Sequence, residues 1–296
     1  MDFERSVIEL IKKRRSRRSF ADQDLDKAQI EKIKSILQSY TCGPFGNAVV
    51  FSLIEKSFAR ENHKVKLGTY GFISGARYFI AGQVENIDHA NEDYGYLLEA
   101  IMLHLTALDL GTCWLGGTFS RSDFSGILQA GNNTIIPAVT PVGVPADKAT
   151  IRENIIRWGA GSDKRKKWEE LFFGSSFTSA LTKADAGAYE VPLEMLRLAP
   201  SASNKQPWRI SKTTDEFRFY LKRTEGYIRI GNGVDLQRID IGIAMAHFEL
   251  ACLESGLQGH WAKADSATIS PEFGEYCISW KINNPASEQH DVKMQF

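Results

Sequence analysis

The sequence predicts an α+β protein built from two related halves in one chain, on three observations. Two long apolar runs with helical character, Asn91 to Leu110 and Asp240 to Leu257, alternate with segments that read as strands. Identical residues recur between those runs at the single offset of 147: Asp93/Asp240, Gly95/Gly242, Leu103/Leu250, Leu110/Leu257 and Trp114/Trp261. Finally, 296 residues of which 43% are hydrophobic suffice for two domains of about 150 residues each.

In chain order, Phe3, Val7, Ile8 and Ile11 recur with helical spacing, and so do Leu25, Ile30, Ile33 and Leu37, with Asp26 placed to cap the second helix. Asn47 to Lys56 and Ala76 to Val84 read as strands. The Asn91 to Leu110 run is apolar nearly all round, so its helix is expected in the middle of the molecule. The acids of Asp88 to Asp93 just before it read as a cap that complements the helix dipole, in preference to a cation site. Ile135 to Pro145 is another strand candidate. Upstream of the second apolar helix, Cys42 to Ile54 can be laid on Pro200 to Ile210 by matching Asn47 with Asn204, an offset of 157. The second copy is then ten residues shorter between those blocks, and Ala160 to Ser176 is the joint. Two amphipathic helices alike only in composition remain the other explanation of the identities.

Composition excludes several classes. With 36 Lys plus Arg against 36 Asp plus Glu, the chain lacks the overall basic charge of a nucleic-acid protein. The cysteines, Cys42, Cys113, Cys252 and Cys277, form no C-x-x-C pair and read as reduced thiols. Met1 to Leu10 is too acidic for a secretory signal, and Tyr96 to Leu110 is broken by Glu99, His104 and Asp109, so a cytoplasmic location is expected. There is no G-x-x-x-x-G-K-[ST], the G-N-G at Gly231 to Gly233 does not continue as a dinucleotide fingerprint, and Ser201 and Ser203 lie in no G-x-S-x-G elbow. The six histidines are scattered and predict no metal site.

One feature departs from this bland background. Lys12 to Arg18 carries six cationic side chains in seven residues, just after a helix. Arg14, Arg15, Ser16 and Arg18 place three guanidinium forks and a hydroxyl together, a set suited to a phosphate monoester. A solvated basic surface is the alternative on composition alone.

These residues resemble the flavin-dependent nitroreductases. The family signature R-R-S-x-R-x-F stands here as Arg14 to Phe20, and P-S-x-x-N-x-Q-P-W as Pro200 to Trp208. L-G-x-C-W-x-G-G appears as Leu110 to Gly117, and a strand followed by a phosphate-binding arginine as Thr140 to Pro145 and Arg165. Family members are intertwined homodimers in which each flavin site takes the arginine signature from one subunit and the P-S-x-x-N loop from the other. In this chain the first copy keeps the arginines but has Cys42 to Gly46 in place of the loop, while the second keeps the loop but has no arginine between Arg165 and Arg197. The pattern is similar to the Thermotoga-type members with fused halves.

The resemblance implies a nitroreductase-like, FMN-dependent fold whose halves, 1–172 and 173–296, form an intramolecular pseudo-dimer. It implies one composite flavin mononucleotide (FMN) site, with Arg14, Arg15, Ser16, Arg18 and Arg165 around the phosphate and Pro200, Ser201, Ser203 and Asn204 closing from the other half. The backbone of Leu115, Gly116 and Gly117 would face flavin N5, with glycine allowing close approach, and Arg18 would lie near N1 and O2. The opposite site would be empty. Also implied are NADH or NADPH as electron donor, ping-pong transfer to a small acceptor such as a nitroaromatic or quinone, a pocket lined around Phe45, Tyr70, Phe72 and Tyr227, and a monomer in solution. A flavin-binding or sensing protein without turnover is the alternative function.

Overall fold

The computed structural model describes residues 3–57, 61, 67–147, 164–227, 233–265 and 269–283. Helix α1 (Val7–Lys13) starts on Ser6, whose Oγ accepts from Glu9 N, and ends in Lys12 and Lys13, which complement its C-terminal dipole. The basic stretch then runs extended, with bridges from Ser16 to Thr112, Ser19 to Ser74 and Phe20 to Pro145. Helix α2 (Lys27–Ser39) opens with a reciprocal capping box in which Gln29 N donates to Asp26 Oδ1 and Asp26 N to Gln29 Oε1.

The first sheet holds β1 (Val49–Glu55), β2 (Tyr78–Glu85), β3 (Gly111–Thr112), β4 (Thr134–Ile135) and β5 (Val139–Gly143), in the order β1-β2-β5-β3 with β4 beside β2. Helix α3 (Ala90–Ala107) follows β2, and α4 (Arg121–Leu128) follows β3. The second half contributes β6 (Phe172–Phe173), α5 (Lys183–Ala186), α6 (Glu190–Arg197), β7 (Trp208–Lys212), β8 (Glu216–Leu221), α7 (Leu236–Glu254), β9 (Gly259–Ala262) and β10 (Glu275–Ile282). Its sheet order is β6-β7-β8-β10-β9. With β4 and β6 set aside, both sheets are antiparallel and share one topology: the first two strands adjacent, then the last, then the third.

Helices α3 and α7 pack against each other at the centre, and one hydrophobic core runs through both halves around them. Their contact is reciprocal. A Cβ on Gly95 would strike the carbonyl of Ile239, and one on Gly242 that of Glu92, so each glycine meets the counterpart, 147 residues away, of the other's partner. Such pairing of i with j and j with i is the signature of a two-fold contact. The helix ends match as well: Leu110 N donates to Leu105 O and Leu257 N to Cys252 O, with left-handed turns at Asp109 (φ 58°) and Gly256 (φ 72°).

Several expectations change. Helix α7 begins at Leu236, ahead of Asp240, because Asp235 caps it by accepting from Gln237 N and Arg238 N. The acids of Asp88 to Asp93 give α3 no side-chain cap, since its N-cap is His89 in the left-handed region, but Glu92 and Asp93 fall in its first turn, where they complement the dipole. Asp93 also holds a loop, and Glu92 pairs with Arg238 of α7. The expected joint lies partly outside the described residues. Its described part leads into β6, which pairs in parallel with β7 of the second sheet and spans the expected boundary at 172/173. Among the described residues no helix is long and apolar enough to cross a membrane, and no His/Cys/Asp/Glu group could hold a metal ion.

Candidate functional site

Arg14, Arg15, Ser16 and Arg18 form one wall of a cavity of about 710 Å³, within the range of about 300 to 1,000 Å³ typical of small-molecule and cofactor pockets. The chain leaves α1 at Arg14, whose N–H donates to Leu10 O at 2.8 Å, and is then laid against β3 by Arg17 N to Thr112 O at 2.7 Å. Ser74 N to Arg18 O at 2.8 Å fixes the far end. Arg15 Nη1 turns back to Lys12 O (3.0 Å) and Arg14 O (3.3 Å), covering carbonyls at the end of α1. Arg14 is buried, and its Nε stands 3.2 Å from Glu99 Oε1 in an ion pair without hydrogen-bond alignment. Its Nε and Nη1 have no hydrogen-bond acceptor among the described residues.

Leu115, Gly116 and Gly117 line the second wall. Leu115 and Val139 exchange both backbone hydrogen bonds at 3.0 Å, so the Leu115 N–H is committed. Arg121 Nη2 donates to Gly116 O and to Pro137 O (2.9 Å), and its guanidinium lies 4.5 Å from the Phe119 ring centroid. Burial lowers the Arg121 pKa from its ordinary value. A Cβ on Gly116 would come within 2.6 Å of Leu236 Cδ2, the end of a flexible side chain that would have to swing aside.

Pro200, Ser201, Ser203 and Asn204 close the cavity from the second half, with Arg165 beside them. Gln206 N donates to Ser201 Oγ (2.9 Å), Ala202 N to Asp240 Oδ1 (2.8 Å) and Asn204 Nδ2 to Lys164 O (2.7 Å). Arg165 donates from Nη1 to Asn204 Oδ1 (3.0 Å) and from Nη2 to Leu198 O (3.1 Å), tying the arginine to the loop. Ser203, Asn204 and Gln206 adopt φ of 48°, 54° and 49°, a left-handed conformation that costs an ordinary residue about 1 to 2 kcal/mol. The hydrogen bonds of the loop sustain that strain.

All twelve residues singled out by sequence therefore surround one cavity, and both halves contribute to it. Of the four pocket residues expected, Phe72 and Tyr227 line it, whereas Phe45 and Tyr70 do not: Tyr70 is 66% exposed. Sequence reasoning missed Trp114, Leu198, Leu236, Ile239 and Asp240 in the wall and Glu99 and His247 behind it. Glu99 had registered only as an interruption in an apolar run, and Asp240 only as a repeat identity. A charged residue inside an otherwise buried helix was the available signal.

At the mirror position, found through the offsets of 147 and 157, the counterpart residues differ and pack on one another. Phe45, the counterpart of Ala202, stacks on His89, the counterpart of Leu236, with centroids 4.2 Å apart and planes 7° from parallel. Lys263 and Ala264 stand where Gly116 and Gly117 would be, and Glu92, the counterpart of Ile239, is paired with Arg238.

Comparison with known proteins agrees with this architecture. A family model described as putative TM nitroreductase matches residues 6–252. The crystal structure of a putative nitroreductase from Thermotoga maritima superposes with a TM-score of 0.62 at 20% identity, covering 96% of this chain and 97% of that one. An FMN-dependent nitroreductase from Clostridium difficile matches at a TM-score of 0.39 and 18% identity over 48% of this chain and 90% of its own. A nitroreductase family protein from Clostridium novyi gives 0.38 and 23% over 50% and 87%. No curated protein matches the chain. Matched by the family model over most of its length and sharing the Thermotoga fold from end to end, the chain belongs to the TM-type nitroreductase family.

Proposed function

We propose that the chain is an FMN-dependent NAD(P)H oxidoreductase of the nitroreductase type, with one flavin site in the composite cavity. Bound FMN would take hydride from NADH or NADPH at N5 and pass electrons to a small acceptor such as a nitroaromatic or quinone, the two substrates alternating in one pocket. The observation that carries the reading is the buried Arg14 guanidinium, whose Nε and Nη1 find no acceptor among the described residues, facing the P-S-x-x-N loop of the other half across one cavity.

Within that reading, Arg14, Arg15, Arg18 and Arg165 hold the phosphate and Ser16 adds a hydroxyl donor. Because the Leu115 amide is bound to Val139, Gly116 and Gly117 are the residues of this turn whose amides would serve a bound flavin. Leu198, Leu236, Ile239 and Ile243 give the cavity apolar walls that exclude water. No side-chain acid or base is needed. The interface that joins two subunits in the family lies inside this chain, so the protein works as a monomer with an internal pseudo-dimer, its halves meeting near 172/173.

The test is to purify the untagged protein, record its visible spectrum, titrate it with FMN and assay NADH and NADPH oxidation with nitroaromatic and quinone acceptors. One FMN per chain with turnover is expected. Two sites or none would refute the composite site, and one bound flavin without turnover would favour the sensing alternative.

A further inference from the structure

Behind the arginine wall lies a buried carboxylate. Glu99 is fully buried on α3 and receives Trp114 Nε1 at Oε2 (2.6 Å), with His247 Nε2 hydrogen-bonded at Oε1 (2.9 Å) and Arg14 Nε 3.2 Å from Oε1. His247, buried on α7, also bonds Met195 O through Nδ1 at 2.9 Å. A carboxylate accepts at both oxygens and donates at neither, so the Trp114 N–H and the Arg14 cation beside it are matched by the ionised form. Burial alone would push the Glu99 carboxyl up, but Arg14 and the His247 and Trp114 hydrogen bonds outweigh it and hold the pKa below the ordinary carboxylate value.

The other half provides an internal control. Trp261, the counterpart of Trp114, donates to Glu249 Oε2 (2.6 Å), one helical turn beyond the position equivalent to Glu99. Tyr96 Oη donates to the same oxygen (2.7 Å), no arginine joins, and burial raises the Glu249 pKa. The tryptophan to carboxylate contact is therefore common to both halves, whereas among the described residues an arginine pairs with the carboxylate only at Glu99.

We propose that Glu99 is a positioning residue for phosphate recognition: its carboxylate fixes the Arg14 guanidinium at the cavity wall for a ligand phosphate and, through His247, ties that arginine to the second half. The proposal rests on the flavin reading above. It explains why a charge pair is kept where an apolar pair would pack as well, and why Arg14 meets Glu99 out of hydrogen-bond alignment: the pairing holds the guanidinium while its Nη1 has no acceptor among the described residues.

The test separates aiming from general support by comparing FMN with riboflavin, which lacks the phosphate. Glu99→Gln presents an amide donor to groups that are themselves donors and removes the charge that holds Arg14. FMN affinity is expected to fall by about tenfold or more, the scale of a charge-assisted contact, while riboflavin affinity stays within about threefold. In an Arg14→Ala background, Glu99→Gln should then have no further effect on the FMN to riboflavin ratio. Should the single variant fail to fold, His247→Leu removes one hydrogen-bond partner of the same carboxylate without removing its charge and should lower the ratio about threefold. Equal losses for both ligands, tighter FMN binding, or an unchanged ratio overturns the proposal. Wild-type protein that binds neither ligand would instead refute the flavin reading, and this role with it.

Discussion

Asp93 and Asp240 occupy matching positions on the two central helices and are satisfied differently. Asp93 accepts from Phe45 N at Oδ1 (2.8 Å) and Asn47 N at Oδ2 (2.9 Å). Asp240 accepts from Ala202 N, the counterpart of Phe45 N, but Asn204 N turns back to Ser201 O, and Asp240 Oδ2 is buried with no partner among the described residues. Burial pushes the Asp93 carboxyl up to about 6 against its two amide donors, and pushes Asp240, with one donor and Asp235 nearby, well above the ordinary value of 3.8. The folded chain thus binds a proton at Asp240 more tightly than the unfolded chain does. Its contribution is fully present at low pH and is lost as pH rises from the unfolded value toward the raised one. Asp240→Asn keeps an acceptor for Ala202 N and removes the ionisation, so at pH 8 it should be more stable than the parent by at least about 1 kcal/mol, the worth of one pKa unit. Urea midpoints at pH 5 and 8 check this: a gap between the two proteins that does not widen with pH sinks it. Both aspartates were legible in sequence as an identity at offset 147. The orphan oxygen was not, because it follows from left-handed residues at Ser203 and Asn204 that no residue type there demands.

The crossing of α3 and α7 depends on two glycines whose missing side chains let backbone meet backbone. Gly95 lies under the Ile239 carbonyl and Gly242 under that of Glu92, with no flexible side chain able to yield. Gly95→Ala and Gly242→Ala should each cost about 2 to 3 kcal/mol, the upper range for overpacking. The double variant should cost less than their sum, because both press apart the same pair of helices. Denaturant melts of the four proteins measure that coupling, and strict additivity would show that the contacts relax independently. Both helices were readable from their all-round apolar character, and the α2 cap from Asp26. Less of the second sheet was legible: β8 is buried on nearly every residue and β10 through its middle, so neither shows the alternation that marks a half-exposed strand.

For the molecule as a whole, the duplication has produced two unlike sites from one plan. The complementary losses were visible in sequence, as a missing arginine signature in one half and a missing loop in the other. What replaced the second site was not visible, since the stacking of Phe45 on His89 depends on α3 starting with His89 as its left-handed cap. If that stack merely plugged a competent cavity, removing it would restore binding. The structure argues otherwise: the mirror wall carries Glu92 paired with Arg238, and Lys263 and Ala264 where the cavity has glycines. Phe45→Ala should therefore lower stability by about 1 to 2 kcal/mol, less than a fully buried phenylalanine because the ring is only partly covered, and leave FMN binding at one per chain. On the proposal that the family's subunit interface lies within the chain, sedimentation of parent and variant should give the 33.2 kDa monomer. A second equivalent of FMN bound by Phe45→Ala would mean that the plug alone closed the site, and a mass twice that of the chain would mean that a further surface completes it.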